Sequence, residues 1–409
     1  MLNGIIFTGG DYPSGSSARR IRLWHDGLFI NDIFTKVIII FPRPSKQDQS
    51  LSEDFVDFML TPTGQSKGIK EKQSRNLKSI FEKIYGALKG YFTVLMTNNL
   101  SFIFLYGIDF LSGVLVLTLC RAKGLVFFVE RTDENRRSFK NDKKIWDRIG
   151  ILNEVMFDYF IVHRADCLFI VSEYLENKYK AKFPELNVKR SVPSFINIDQ
   201  FKHESNNNIN DLGDIDVTSF QLSVPVIMFA GSCIYTNGLE FFLMNAEQVY
   251  KSGFDFRIVL LFFKGDVDYI RFQICKYKLD EICMIYENIN PQYIPAFYQK
   301  ADILVIPEMG DVVANAGFPG KTAECLAAGK AIISTNFSNL KDILINDENC
   351  LISDLGDSET YQINLKRLIQ DTNLRERLGA HAIQTAIEFF DYKKSVTPMV
   401  NELKLHQAI

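Results

Sequence analysis

With 409 residues, the chain is too long for one ordinary hydrophobic core and fits two domains of about 200 residues each. A hydrophobic fraction of 47% beside 23% charged residues belongs to a folded, water-borne protein, and a net charge of −3 excludes a dedicated nucleic-acid binder, which carries a basic excess. The seven cysteines, Cys120, Cys167, Cys233, Cys275, Cys283, Cys325 and Cys350, are odd in number, scattered and without a C-x-x-C pair, so they read as reduced thiols of a cytosolic protein, packed mostly as small hydrophobes.

The start, MLNGIIFTGG, has neither the basic n-region nor the long apolar stretch of a secretory leader. Gly4 to Thr8 reads as a first strand and GGDYPSGSSARR as the turn after it. In that turn Gly9, Gly10 and Gly15 allow tight backbone and close approach of a ligand, and Ser16 and Ser17 can start a helix carrying Arg19 and Arg20. The spacing is not G-x-G-x-x-G, and no acidic residue closes the next strand, Lys36 to Phe41, so a dinucleotide site is not indicated.

Between Ser66 and Gly90, Lys67, Lys70, Lys72, Arg75, Lys78, Lys83 and Lys89 face only Glu71 and Glu82, while Leu77, Ile80, Phe81, Ile84 and Leu88 recur at helical spacing. This predicts an amphipathic helix whose basic side meets either water or anionic lipid headgroups. Tyr91 to Cys120 is apolar but interrupted by Asn98, Asn99 and Asp109, and reads as a buried strand and helix rather than a membrane span.

Leu111 to Ala122 is the helix of that stretch, and Leu125 to Val129 is a buried strand ending in ERTDENRRSF. Parallel strands present their carboxyl ends to ligands, so Glu130 and Asp133 stand where a carboxylate can receive a hydroxyl proton or hold a sugar. Their alternative is pairing with Arg131, Arg136 or Arg137. Ile161 to Ser172 reads as helix end and strand, with Ser172 capping the next helix and His163 as a hydrogen-bonded core residue.

The segment HESNNNINDLGDIDVTSFQ is polar and rich in Asn and Asp, as a linker should be. The boundaries are therefore an N-terminal domain 1–202, a linker 203–223, a C-terminal domain 224–385 and a last helix, 386–409. Val224 to Ala230 opens a second strand series, followed by the GSCIYTNGLEFF turn and helix, then strand Arg257 to Phe263, a GDVDY loop, and a helix leading into strand Ile303 to Pro307. Helices around Leu374 to Ile387 and Lys394 to Leu405 finish the chain.

The most informative stretch is Asn315 to Thr335, NAGFPGKTAECLAAGKAIIST. Gly317, Phe318, Pro319 and Gly320 form a loop that runs into a helix of good formers closed by Gly329, and Ala331 to Ser334 is a buried strand. The helix start is a natural seat for phosphate, with Lys321 and Thr322 in its first turn and Glu324 on the same face, placed for ribose hydroxyls.

GFPGKTAECLAAGKAIIST resembles the donor-nucleotide segment of the family 4 retaining glycosyltransferases, in the branch reading F-P-x-K-x-x-E-Y-L-A-x-G-K-P-V-I, and the resemblance covers nearly the full length. It implies the GT-B architecture, an α/β fold of two Rossmann-like doubly wound domains facing each other across a cleft, with the last helix crossing back to the first domain. It implies that Glu324, the second Glu of E-x7-E, holds the donor ribose; the first would fall at Ala316. The turn at Gly9, Gly10, Gly15 and Arg19 resembles the family's glycine-rich loop facing the donor phosphates, and Glu130 with Asp133 its E-x-x-E.

Where relatives read G-R-L-x-x-x-K-G, this chain has Gly231, Ser232 and Asn237, so Lys321 is the cation left to meet a donor diphosphate. Asp266 and Asp268 form a D-x-D, a metal pair in glycosyltransferases of another fold and here a loop between strand and helix; no metal site is expected. The implied function is sugar transfer from a nucleotide-sugar to a hydroxyl acceptor, a glycan or lipid-linked one, in bacterial surface polysaccharide synthesis. No cofactor beyond the donor and no nucleic acid is expected. The expected location is cytoplasmic, with peripheral contact to the inner membrane through segment 67–89. A noncatalytic binding protein of the same fold and a sugar-nucleotide epimerase are the alternatives.

Overall fold

The computed structural model describes residues 2–8, 20, 23–24, 26, 28, 34–41, 57–61, 64–68, 92, 95–107, 110–132, 145–203, 223–231, 238–262, 267–287, 289, 293–309 and 318–407. The chain divides into two compact units, 1–195 with 392–409, and 196–391.

The first unit contains strands β1 (Leu2–Thr8), β2 (Phe34–Phe41), β3 (Asp57–Thr61), β4 (Gly64–Gly68), β5 (Phe102–Tyr106), β6 (Val126–Arg131), β7 (Cys167–Ile170) and β8 (Val188–Arg190), in the order β3-β4-β2-β1-β5-β6-β7-β8. All neighbours pair in parallel except β3 with β4. Its helices include α1 (Phe110–Lys123), α2 (Ile145–Phe160) and α3 (Glu173–Lys182). Ser172 caps α3 as expected, accepting a hydrogen bond from the Leu175 N–H at 3.2 Å.

The second unit begins with α4 (Ile198–His203) and runs β9 (Val226–Gly231), α5 (Leu239–Lys251), β10 (Arg257–Phe262), α6 (Val267–Lys276), β11 (Cys283–Glu287), α7 (Ile294–Lys300), β12 (Ile303–Ile306), α8 (Lys321–Ala327), β13 (Ala331–Thr335), β14 (Leu351–Ser353), α9 (Ser358–Gln370) and α10 (Thr372–Phe389). Its sheet is wholly parallel, ordered β11-β10-β9-β12-β13-β14. The strands are near-continuous Val, Ile, Leu and Phe, as a sheet covered on both faces requires, and Ile227, Phe229, Ile258, Leu260, Val305 and Ile333 are all essentially inaccessible. The chain ends with α11 (Tyr392–Ser395) and α12 (Thr397–Gln407), whose Val396, Met399, Val400 and Leu403 join Ile6, Trp24, Phe104 and Phe169 in the first unit's core.

The structure differs from the sequence expectations at three places. Ser66 to Gly68, assigned to the basic helix, belong to β4, where pairing with Ile39 to Phe41 of β2 outweighs a helical pattern whose apolar spacing begins only at Leu77; residues 69–91 lie outside the described residues. The division of the units falls at 195/196 rather than near 203, because α4 lies with the second unit, Phe201 stacking 6.4 Å from Tyr298. His163 is an exposed residue of a short 3-10 turn, its ring 5.0 Å from that of Phe183, and not a core residue. Tyr91 to Cys120 supplies β5 and most of α1, and among the described residues no helix is long and apolar enough to cross a membrane.

Candidate functional site

In the second unit the chain builds β9, β10 and β11 outward in one direction and then returns to place β12 on the other side of β9. Such a reversal, at the carboxyl ends of β9 and β12, is the place where open parallel sheets receive ligands. Gly231 ends β9, and Pro307 and Glu308 follow β12. Gly238, at φ +65°, caps α5 and presses against the strand end beyond β12: a Cβ there would sit 1.4 Å from the Pro307 carbonyl oxygen, so only glycine fits. Gly238 and Pro307 are thus in close contact at the reversal.

Lys321 comes to this same place from the start of α8. Its Nζ lies 2.9 Å from Glu308 Oε1 and 4.8 Å from the centre of the Phe229 ring, with side-chain exposures of 12% for Lys321 and 10% for Glu308. Glu308 is fixed through its backbone, since its carbonyl oxygen accepts a 2.6 Å hydrogen bond from Thr335 Oγ1. Among the described residues no group takes an aligned hydrogen bond from Nζ, so the contact is one of charges, with donor capacity left over. Glu308 is a site residue that sequence reasoning missed; the signal was a carboxylate just past the end of a buried parallel strand.

Glu324 lies one turn further along α8, half-buried, with Tyr298 Oη donating to its Oε2 at 3.4 Å. Burial first, then Cys325 and Glu324, push the Tyr298 hydroxyl well above its ordinary range, so it stays protonated and acts as a donor. Burial likewise pushes the Cys325 thiol up to about 12, leaving it an inert neighbour.

The described residues of the preceding loop, Phe318 to Gly320, differ in exposure. Phe318 and Pro319 are half-buried, the Phe318 ring 5.7 Å from Phe390, and Pro319 accepts a 2.9 Å hydrogen bond from the Thr322 N–H. Gly320 is exposed and caps α8 at φ −54° without a side-chain bond. Thr322 is fully buried, its side chain turned into the unit, and its hydroxyl has no partner among the described residues.

In the first unit, Glu130, next to last in β6, is only 2% exposed and is gripped by Arg20 through two guanidinium nitrogens, Nε at 3.2 Å. Arg20 also donates to Pro193 O at 3.0 Å, Val192 O at 2.9 Å and Ser191 Oγ at 3.3 Å, and lies 4.5 Å over the Phe195 ring. Burial works to lower the Arg20 pKa, but Glu130 beside it raises it, so the guanidinium is charged at every accessible pH. The partner of Glu130 is therefore Arg20 and not Arg131, which instead pairs with Asp158 at 2.8 Å.

Gly9, Gly10, Gly15, Arg19, Asp133, Ser232, Asn237 and Gly317, together with Ala316 and Asp266, lie outside the described residues. Asp268 stands in the first turn of α6, and among the described residues no three His, Cys, Asp or Glu side chains gather as metal ligands would.

Residues 214–385 match the family Glycosyl transferases group 1. A capsular polysaccharide biosynthesis glycosyltransferase of Staphylococcus aureus, CapM, is 21% identical over 162 residues, a match spanning 38% of this chain and only 39% of that relative. Among solved structures, the sucrose-phosphate synthase of Thermosynechococcus elongatus is similar over 100% of both chains with a TM-score of 0.75 at 13% identity. Anabaena HepE in complex with UDP is similar over 99% of this chain and 100% of its own, with a TM-score of 0.66 at 11% identity. The second unit is thus similar to the glycosyl transferases group 1 family over residues 214–385, and the two units have the α/β architecture of the GT-B fold.

Proposed function

We propose that the chain transfers a sugar from a nucleotide-sugar to a hydroxyl acceptor, with retention of configuration and without a metal. The observation that carries this reading is the Lys321–Glu308 pair at the strand-order reversal of a domain that matches glycosyl transferases group 1, with Glu324 one turn further along α8. HepE, a structural relative, has been solved with UDP and with UDP-glucose, which favours a nucleoside diphosphate-sugar as donor here.

In this reading the Glu324 carboxylate accepts hydrogen bonds from the donor ribose, oriented by the Tyr298 hydroxyl. The Lys321 ammonium faces the diphosphate, whose negative charge grows as the bond from the anomeric carbon to the diphosphate oxygen breaks. The acceptor hydroxyl forms the new bond on the same face and gives its proton to the departing diphosphate. The protein's part is charge stabilisation and positioning. The similarity to CapM supports a growing bacterial surface glycan, free or lipid-linked, as acceptor, and the basic residues between Lys70 and Lys89 suit peripheral contact of a cytoplasmic enzyme with the membrane.

Ser232, Asn237 and Ala316, where relatives carry Arg, Lys and Glu, favour a second reading, a noncatalytic nucleotide-binding member of the fold. One experiment separates the two. UDP-, GDP- and ADP-sugars are screened by thermal shift, and the stabilising donor is then followed for nucleoside diphosphate release in EDTA. The transferase reading expects release with wild type and a strong loss with Glu324→Ala at an unchanged melting temperature. Stabilisation without release supports the binding protein, and release by Glu324→Ala at the wild-type rate sinks the ribose assignment.

A further inference from the structure

We infer that the outer face of α1 and α2 in the first unit docks on an anionic lipid surface. Helices on a sheet normally turn polar residues to water. Over residues 149–160, α2 does the opposite: its exposed residues are Ile149, Leu152, Val155, Tyr159 and Phe160, at 48%, 55%, 41%, 56% and 46% exposure. Of the polar residues in the same stretch, Asp158 is buried and Asn153 and Glu154 are half-buried. Asn153 Oδ1 accepts from the Phe110 N–H at 3.0 Å, and buried Asp158 accepts from Arg131, Lys182 and the Tyr179 hydroxyl.

The stripe follows helical spacing for roughly 16 Å along the helix axis. It continues onto α1, which has no charged residue from Phe110 to Cys120. Phe110 packs 5.8 Å from Phe160, Gly113 allows close contact with Phe157, and Leu111 stays 47% exposed. A contiguous apolar surface of this kind marks a docking site rather than ordinary solvent surface.

The charges around the stripe select the occupant. Lys182 Nζ lies 4.9 Å over the Tyr159 ring, and the Arg164 guanidinium lies 5.8 Å over Phe160 while donating to the Tyr159 and Phe160 carbonyls. Arg121 and Arg164 are exposed at this border and Lys182 is half-buried there, while the Asp158 carboxylate is turned inward, paired with Arg131 and Lys182. Aromatic rings with cations stacked at their edges, beside an aliphatic stripe, match the boundary between acyl chains and anionic headgroups. Lys123, at the end of α1, also fastens the exposed Leu95 and Met96 region by donating to Leu95 O and Thr97 O at 2.8 and 2.9 Å.

The test needs no substrate and so stands apart from the transferase reading. Wild-type protein is floated with phosphatidylcholine vesicles, with or without phosphatidylglycerol, beside the double variant Leu152→Ser, Tyr159→Ser and the single variant Arg164→Gln. Because these side chains are exposed, melting temperatures should stay close to wild type. Wild type should float with phosphatidylglycerol vesicles and much less without it or in high salt. Partitioning should fall about tenfold or more in the double variant, as lost apolar insertion requires, and severalfold in Arg164→Gln. Equal flotation of the double variant and wild type would overturn the inference, as would failure of wild type to float. A wild-type dimer that the double variant converts to monomer, with no vesicle binding, would show instead that a second copy covers the face.

Discussion

At the carboxyl edge of each sheet a buried glutamate meets a cation, and the two pairs are built differently. Arg20 spends its donors on the Glu130 carboxylate, two backbone carbonyls and the Ser191 hydroxyl, with its flat face on Phe195. Among the described residues Lys321 meets one carboxylate oxygen and one ring, and its ammonium donates no aligned hydrogen bond to them. A guanidinium so heavily bonded holds segment 191–195 to the end of β6 and has little left for a ligand. An ammonium with one partner is suited to gain a second, anionic one.

The first way to break this comparison is to remove the heavily bonded cation. Arg20→Ala leaves Glu130 as a buried carboxylate without its counter-charge, and breaking a buried pair from one side costs about 3–5 kcal/mol. The expected result is a large drop in the denaturation midpoint of the full chain, the largest effect among these variants. A near-normal midpoint would mean that Glu130 takes up its proton or finds another cation, and that the first-unit pair is as available as the second.

Removing the open cation should act on rate instead. Helix-end dipoles contribute about 0.3–2 kcal/mol each, too little for a leaving diphosphate, and a lost charge-stabilising donor typically lowers turnover by roughly two orders of magnitude. Lys321→Ala should do so with a smaller stability loss than Arg20→Ala, and with almost no change in affinity for the free nucleoside, which has no phosphate. Near-normal turnover would move the diphosphate cation elsewhere.

The contrast between the pairs also explains what was legible beforehand. Lys321 and Glu324 could be singled out because the Gly-Pro loop, the helix formers and the following Ile-rich strand are local signals. The strands of the second unit were legible for the same reason, as short runs of Val, Ile, Leu and Phe. The pairings were not, since an ion pair joins residues that only the fold brings together: Glu130 was read against its neighbours Arg131, Arg136 and Arg137, yet its partner lies 110 positions away. Glu308 carries no local pattern, and its role exists only because β12 ends beside the start of α8. β4 escaped because GQSKG has no strand-like residues, and its place follows from the ladder with β2. The apolar face of α2 shows the matching limit, for periodicity reveals that a face is apolar but not whether another element covers it.

The smallest effect, and the one that sharpens the comparison most, concerns Glu308. Its carboxylate faces the ammonium that we assign to the diphosphate, so it both steadies Lys321 and offsets the positive charge that an incoming anion meets. Glu308→Gln keeps the side-chain size and removes that charge. A carboxylate some 8 Å from a phosphate group, at an effective dielectric near 20, repels one negative charge by up to about 2 kcal/mol. The variant should therefore bind the nucleoside diphosphate several-fold more tightly than wild type and leave free nucleoside affinity unchanged, as isothermal titration would show. Tighter product binding should in turn slow turnover modestly, because release of the diphosphate then holds back the cycle. If diphosphate affinity falls instead, the carboxylate matters mainly as the tether that positions Lys321. If it does not change, the ammonium is not at the diphosphate, and the second-unit pair is as structural as Arg20 with Glu130.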